Sequence, residues 1–176
     1  FKGSLASCRP DDLGALVVRE ALGKVPQVEH ASVEDIIIGC AQPAGESGYN
    51  LGRAISVLAG LPDVPGVTVN RYCASSLQAI RMAAHAIKAG EGDVFVAGGV
   101  ETVSRFEHGK SDGMPNTKNP RFADAMAHSA KRAEGSAGRW EPQEGLPDFY
   151  LAMGQTAENV AEFADVSRED MDRFAK

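Results

Sequence analysis

The chain has 176 residues, 43% hydrophobic and 24% charged, with 18 Lys and Arg against 24 Asp and Glu and a formal net charge of -6. These values fit a soluble globular protein of one domain, or one domain with a sizeable insertion, and the acidic balance makes nucleic acid and anionic membrane poor partners. No apolar run approaches the length of a membrane span, and the start carries no signal-peptide h-region.

Pro10-Asp11-Asp12-Leu13 opens a helix, since Pro is favoured in the first turn and the acids complement the positive end of the dipole. Leu13, Leu16, Val17 and Ala21 continue it at helical spacing as far as Gly23. Asp35-Ile36-Ile37-Ile38-Gly39 reads as a short β-branched strand. A loop of Gly, Pro, Ser and Asn follows, and Asn50 caps a second helix from Leu51 to Ala59, closed by Gly60. Val67-Thr68-Val69-Asn70 reads as a buried strand, Ser75 to Ala89 as a long helix ended by Gly90, and Asp93 to Ala97 as a strand halted by Gly98-Gly99. Strands alternating with helices predict an α/β architecture with a partly parallel, buried sheet. From Phe106 to Asp148 the chain is rich in Gly, Pro, Asn, Lys and Arg, which predicts an insertion with short helices, one around Arg121 to Arg132. A helix returns from Gly154 to about Ala164, and Ser167-Arg168-Glu169-Asp170 resembles a capping box for a last one. With no initiator Met and a stop at Lys176 inside a helical pattern, both ends read as cut.

Cys8, Cys40 and Cys73 are widely spaced and form no C-x-x-C pair, so neither a disulfide framework nor a zinc site is expected. Free thiols fit a reducing, cytoplasmic compartment. Cys73 falls where the turn after the second strand becomes the long helix. Helix N–H groups and the positive end of the dipole meet there; both favour thiolate, and the N–H groups suit a developing oxyanion. Ala74, Ser75 and Ser76 are small and leave room for an acyl chain. On spacing alone the plainer reading of Cys73 is a small buried hydrophobe. Ser75 and Ser76 are weaker nucleophile candidates, because no G-x-S-x-G elbow is present.

The segment Asn70-Arg71-Tyr72-Cys73-Ala74-Ser75-Ser76-Leu77-Gln78-Ala79-Ile80 resembles the active-site segment of the thiolases. Three more segments match in order: Phe1-Lys2-Gly3-Ser4-Leu5 through Ala15, Val96-Ala97-Gly98-Gly99-Val100-Glu101-Thr102-Val103-Ser104, and Met153-Gly154-Gln155-Thr156-Ala157-Glu158-Asn159-Val160. The resemblance covers essentially the whole chain. It implies a layered α-β-α core repeat over residues 1–105 with its first strand missing, an inserted loop domain over 106–153, a helical return over 154–176, and an absent C-terminal half.

The same resemblance implies an acyltransferase that moves an acyl group, acetyl above all, between coenzyme A and an acyl-CoA, cleaving or forming a 3-ketoacyl-CoA. Cys73 is then the nucleophile that carries the acyl group as a thioester. The activating His and the second Cys of the family lie in the C-terminal half. Cys8, Cys40, His30, His85, His108 and His128 match neither, so this chain alone is expected to have no turnover. Coenzyme A is substrate and product, with no permanently bound cofactor or metal, and a homodimer or homotetramer is expected. Fatty acid metabolism is the implied setting, in either direction.

Met153, and more weakly Leu146, match the wall over the pantetheine arm of CoA. Ala152 stands where many thiolases have His, which puts a polar contact in doubt. Lys118, Arg121, Lys131, Arg132 and Arg139 are within the stretch that would meet a CoA phosphate, although a solvated basic face explains them more simply. Glu101 is read as satisfying N–H groups near the elbow, and Trp140 and Phe149-Tyr150 as packing. Two other readings remain: a ketoacyl-synthase-like condensing enzyme, and a non-catalytic scaffold or half-subunit needing a partner chain.

Overall fold

A computed structural model describes residues 3–108, 115–135 and 139–176, and the chain falls into two compact units, Phe1–Gly113 and Met114–Lys176. Phe1-Lys2 of the first motif, and residues 109–114 and 136–138 of the expected insertion, lie outside the described residues.

In the first unit, β1 (Asp35–Gly39), β2 (Gly66–Val69) and β3 (Phe95–Gly99) form a parallel sheet in the order β2-β1-β3. Parallel strands need crossovers, supplied by α2 (Leu51–Leu58) between β1 and β2 and α3 (Ser75–Ala89) between β2 and β3. The Ile36-Ile37-Ile38 run serves both faces of the central strand. Ile36 and Ile38 pack with Val18 and Leu22 of α1 (Pro10–Gly23) and with Leu51 and Ile55 of α2, whereas Ile37 packs with Ala79 and Ala83 of α3. Successive strand side chains point to opposite faces, so this alternation sets the α-β-α layering. β2 and β3 are half-buried rather than buried, because the strand order leaves each beside β1 on one side only. β3 also runs through Gly98-Gly99 instead of stopping before them, paired as Ile38 with Gly98 and Gly39 with Gly99.

Asn50 caps α2 as expected: its Oδ1 accepts the Arg53 N–H, and its side-chain amide donates to the Gly66 carbonyl at 2.7 Å, tying the helix start to β2.

The second unit contains α4 (Ala123–Ala133), α5 (Met153–Phe163) and α6 (Arg168–Ala175). Phe122 stacks on Phe149 and meets Tyr150 edge-on, with ring centroids 5.7 and 5.6 Å apart, and Trp140 meets Phe163 edge-on at 5.5 Å. Gln155 donates to the Ser129 carbonyl at 2.9 Å, joining α5 to α4. Ser167 caps α6 by accepting the Asp170 N–H at 3.1 Å, and its hydroxyl donates to the Asp170 carboxylate at 2.7 Å. The units divide the chain later than the composition does. Arg105 bonds Glu46 and the Ser7 carbonyl, which keeps the segment after β3 in the first unit. α5 and α6 share the second unit with α4. No helix among the described residues is long and apolar enough to cross a membrane.

Candidate active site

The site is assembled at the C-terminal ends of the three parallel strands, where α/β sheets commonly place functional groups. Two glycines let α3 begin directly on the sheet. A Cβ on Gly39 would lie 2.5 Å from the Ser75 carbonyl carbon and the Ser76 nitrogen. A Cβ on Gly99 would run into the Ser76 hydroxyl and stand 2.9 Å from the Gly39 carbonyl. Only hydrogen fits at either position.

Between β2 and α3 the backbone turns sharply. Tyr72 has φ 47°, in the left-handed region that costs a bulky residue about 1–3 kcal/mol and persists where surroundings hold it. Two side chains hold it. Asn70 Oδ1 accepts the Tyr72 N–H at 2.7 Å, an Asx-turn contact. Ser75, 4% exposed, accepts the Arg71 N–H at 2.9 Å and donates to the Tyr72 carbonyl at 2.6 Å. The Ser75 hydroxyl, a weaker nucleophile candidate, is thus committed to the elbow. Asn70 and Ser75 were missed as its clamps, although an Asn two residues ahead of a tight turn is a visible signal.

Cys73 sits in the single 3-10 turn Tyr72–Ala74, just before α3, and is exposed rather than a buried hydrophobe. It opens on a pocket of about 510 Å³ shared with Gln42, Tyr72, Ser76, Glu101 and Phe106. Glu101, expected to satisfy N–H groups near the elbow, instead accepts the N–H groups of Ala41 at 2.7 Å and Gln42 at 3.3 Å and so fixes the loop leaving β1 rather than the elbow backbone. Its other neighbour is the Cys40 thiol, 3.7 Å away. Ser104 lines a separate cavity of about 570 Å³ with Gly3–Ala6 and Leu13. None of the histidines is among the described residues lining the Cys73 pocket.

Cys40 is 1% exposed, and burial, followed by the Glu101 carboxylate, pushes its thiol up from 9.0 to about 11. A raised folded value means that the protonated thiol stabilises the fold fully below the ordinary thiol pKa; that contribution is lost as pH rises through about 11. Since thiolate is the reactive form, iodoacetamide at about pH 8 will mark Cys73 well before Cys40 in the native protein, as read by peptide mass mapping. Equal labelling of the two would contradict this assignment.

In the second unit, Met153 opens α5 at 73% exposure and Leu146 is 47% exposed, so both present apolar surface to solvent. The basic residues are mostly engaged within the unit. Arg132, with its side chain 10% exposed, pairs with Glu162 at 2.7 Å; Arg139 pairs with Asp165 at 3.0 Å; the Lys118 ammonium lies 5.5 Å from the Tyr150 ring centroid. For Arg132 this replaces the solvated face with structural pairing, whereas the Arg139 side chain, 54% exposed beside an 80% exposed Asp165, stays on a solvated face. Among the described residues, no cluster of three potential ligands for a metal exists.

The family model for the thiolase N-terminal domain matches residues 1–176. Beta-ketoadipyl-CoA thiolase of Acinetobacter baylyi is 45% identical over 180 residues, covering 99% of this chain and 42% of that protein. 3-Ketoacyl-CoA thiolase of Bacillus subtilis is 44% identical over 175 residues, covering 99% and 39%. 3-Oxoadipyl-CoA/3-oxo-5,6-dehydrosuberyl-CoA thiolase of Escherichia coli is 42% identical over 181 residues, covering 99% and 42%. The chain therefore spans about two fifths of the length of these relatives.

Proposed function

The chain belongs to the thiolase family, matching its N-terminal domain, and from that premise we propose that Cys73 is the acyl-carrying nucleophile of a thiolase. The observation that supports this best is an exposed thiol on a clamped, strained elbow, opening on a pocket at the C-terminal edge of a parallel sheet. In the thiolytic direction the Cys73 thiolate attacks the carbonyl next to the scissile carbon–carbon bond. That bond breaks, the departing acetyl-CoA carbanion takes a proton, and the acyl group stays on sulfur. A CoA thiolate then takes the acyl group and frees Cys73. Splitting one hard step into two acyl transfers is the benefit of covalent catalysis.

CoA is substrate and product in this reading, and no permanent cofactor takes part. Met153 and Leu146 offer apolar surface for the pantetheine arm. The substrate is a 3-ketoacyl-CoA, and the relatives' names, which include 3-ketoacyl-CoA and beta-ketoadipyl-CoA, set the first panel to try. The setting is fatty acid or related acyl-CoA metabolism. The protein works in the cytoplasm, where its unpaired thiols stay reduced, as a homodimer or homotetramer. Residues 1–176 alone are inactive, because the activating His and second Cys are supplied elsewhere in the subunit.

Acetoacetyl-CoA and 3-oxoadipyl-CoA should each be assayed with free CoA against the complete gene product and against residues 1–176. Thiolysis by the former and none by the latter is expected. Failure of the complete product on every 3-ketoacyl-CoA would contradict the assignment, and thiolysis by residues 1–176 would contradict their dependence on the remainder.

A further inference from the structure

One wall of the Cys73 pocket is Phe106, on the segment Val103–His108 that leaves β3. This segment is kinked at Arg105, which has non-helical φ -116° and ψ 17°. Hydrogen-bond geometry in 3-10 stretches is poorer than in an α-helix, and here the kink carries an anchor of its own. The Arg105 guanidinium supplies it by gripping Glu46 with two parallel bonds, Nε to Oε1 at 2.7 Å and Nη2 to Oε2 at 2.9 Å, and by donating through Nη1 to the Ser7 carbonyl at 3.2 Å. Glu46 sits on the turn Gly45–Ser47, between β1 and α2. Its side chain is 8% exposed, against 22% for Arg105, and Arg9 reaches the same carboxylate at 3.3 Å.

A bidentate pair in this degree of burial fixes orientation in a way that an exposed lysine pair does not. The geometry points to Glu46 as a positioning residue. Through Arg105 it holds Phe106 as a wall of the Cys73 pocket and so limits the size of the group that Cys73 accepts. Glu46 touches neither Cys73 nor its pocket among the described lining residues, and its effect runs wholly through the neighbouring kink. As a statement about acyl groups, this rests on the acyl-carrier role proposed above; as a statement about the wall, it does not.

The test reads the wall by alkylation, which needs no acyl transfer. In the complete gene product, the rates at Cys73 with iodoacetamide and with N-(1-pyrenyl)maleimide are followed by peptide mass mapping, and their ratio is compared among variants. Phe106→Ala is expected to favour the bulky reagent by about tenfold, and Glu46→Gln to move the ratio the same way by about threefold or more. The double variant should match Phe106→Ala alone, because both changes remove one wall. Arg105→Lys, which keeps the charge and loses the fork, should behave like Glu46→Gln; a cooperative melt of each variant confirms that it is folded. An unchanged ratio in Glu46→Gln or in Phe106→Ala, or a double variant equal to the product of the singles, would overturn the proposal. If acyl-CoA leaves no adduct on Cys73 while these ratios shift, the acyl-carrier reading fails and the clamp stands.

Discussion

Cys73→Ala is expected to leave the complete gene product folded and to lower thiolysis by roughly three to six orders of magnitude, the range seen when a covalent nucleophile is removed. The size of the effect follows from the proposed mechanism, in which Cys73 holds the acyl chain between the two half-reactions, so both would be lost together. The small effect on folding follows from the site. Cys73 is exposed, and the elbow is held by Asn70 and Ser75, whose bonds do not involve the thiol. A change at such a position costs within about 0.5 kcal/mol. Steady-state release of acetyl-CoA and a urea melt check the two halves of this expectation. Activity above a few per cent in Cys73→Ala would remove Cys73 from the mechanism.

The largest effect away from the thiol is expected at Gly39. Gly39→Val places a branched side chain where even a Cβ would lie 2.5 Å from the backbone of Ser75 and Ser76. Neither side can yield cheaply. Gly39 ends the central strand, paired to Val69 on one side and Gly99 on the other, and Ser75 is pinned to the elbow by its hydroxyl. Overpacking of this kind costs about 1–3 kcal/mol and sometimes more, and relief requires the start of α3 to lift from the sheet, carrying Cys73 with it. Loss of stability and loss of Cys73 acylation should therefore appear together. Gly98→Ala is the matching control: no atom lies within 4 Å of the added Cβ, and its stability should stay within about 0.5 kcal/mol of the parent. Denaturant midpoints measure both. A Gly39→Val variant as stable as Gly98→Ala would show that the close approach does not matter.

The elements that were legible in the sequence are those whose signals are local. Pro10-Asp11-Asp12 marks the start of α1, the three isoleucines mark a strand buried on both faces, and the Ala-rich run closed by Gly90 bounds α3 to the residue. What escaped depends on partners distant in the chain. Gly98-Gly99 reads as a strand stop because glycine is poor in strands. In the fold Gly99 belongs to β3 through its pairing with Gly39, and the start of α3 leaves no room there for a side chain. The half-buried state of β2 could not be read without the strand order. Arg105 and Glu46 are 59 residues apart, and Arg132 and Glu162 are 30 apart, so their pairing has no periodic trace. Cys73 itself was ambiguous in spacing alone and became specific through the motif around it. The structure adds the strained Tyr72 turn, which nothing about a tyrosine announces. It also shows the clamps that make that turn tolerable.

The central claim is tested most directly by locating the acyl group. The complete gene product is incubated briefly with acetyl-CoA, quenched in acid to preserve thioesters, digested at low pH and mapped by mass spectrometry. The account predicts one acetyl group on the peptide containing Cys73, removed by added CoA and absent in Cys73→Ala. An unmodified Cys73 in a preparation that is turning over, or an acetyl group residing on another residue, would contradict it.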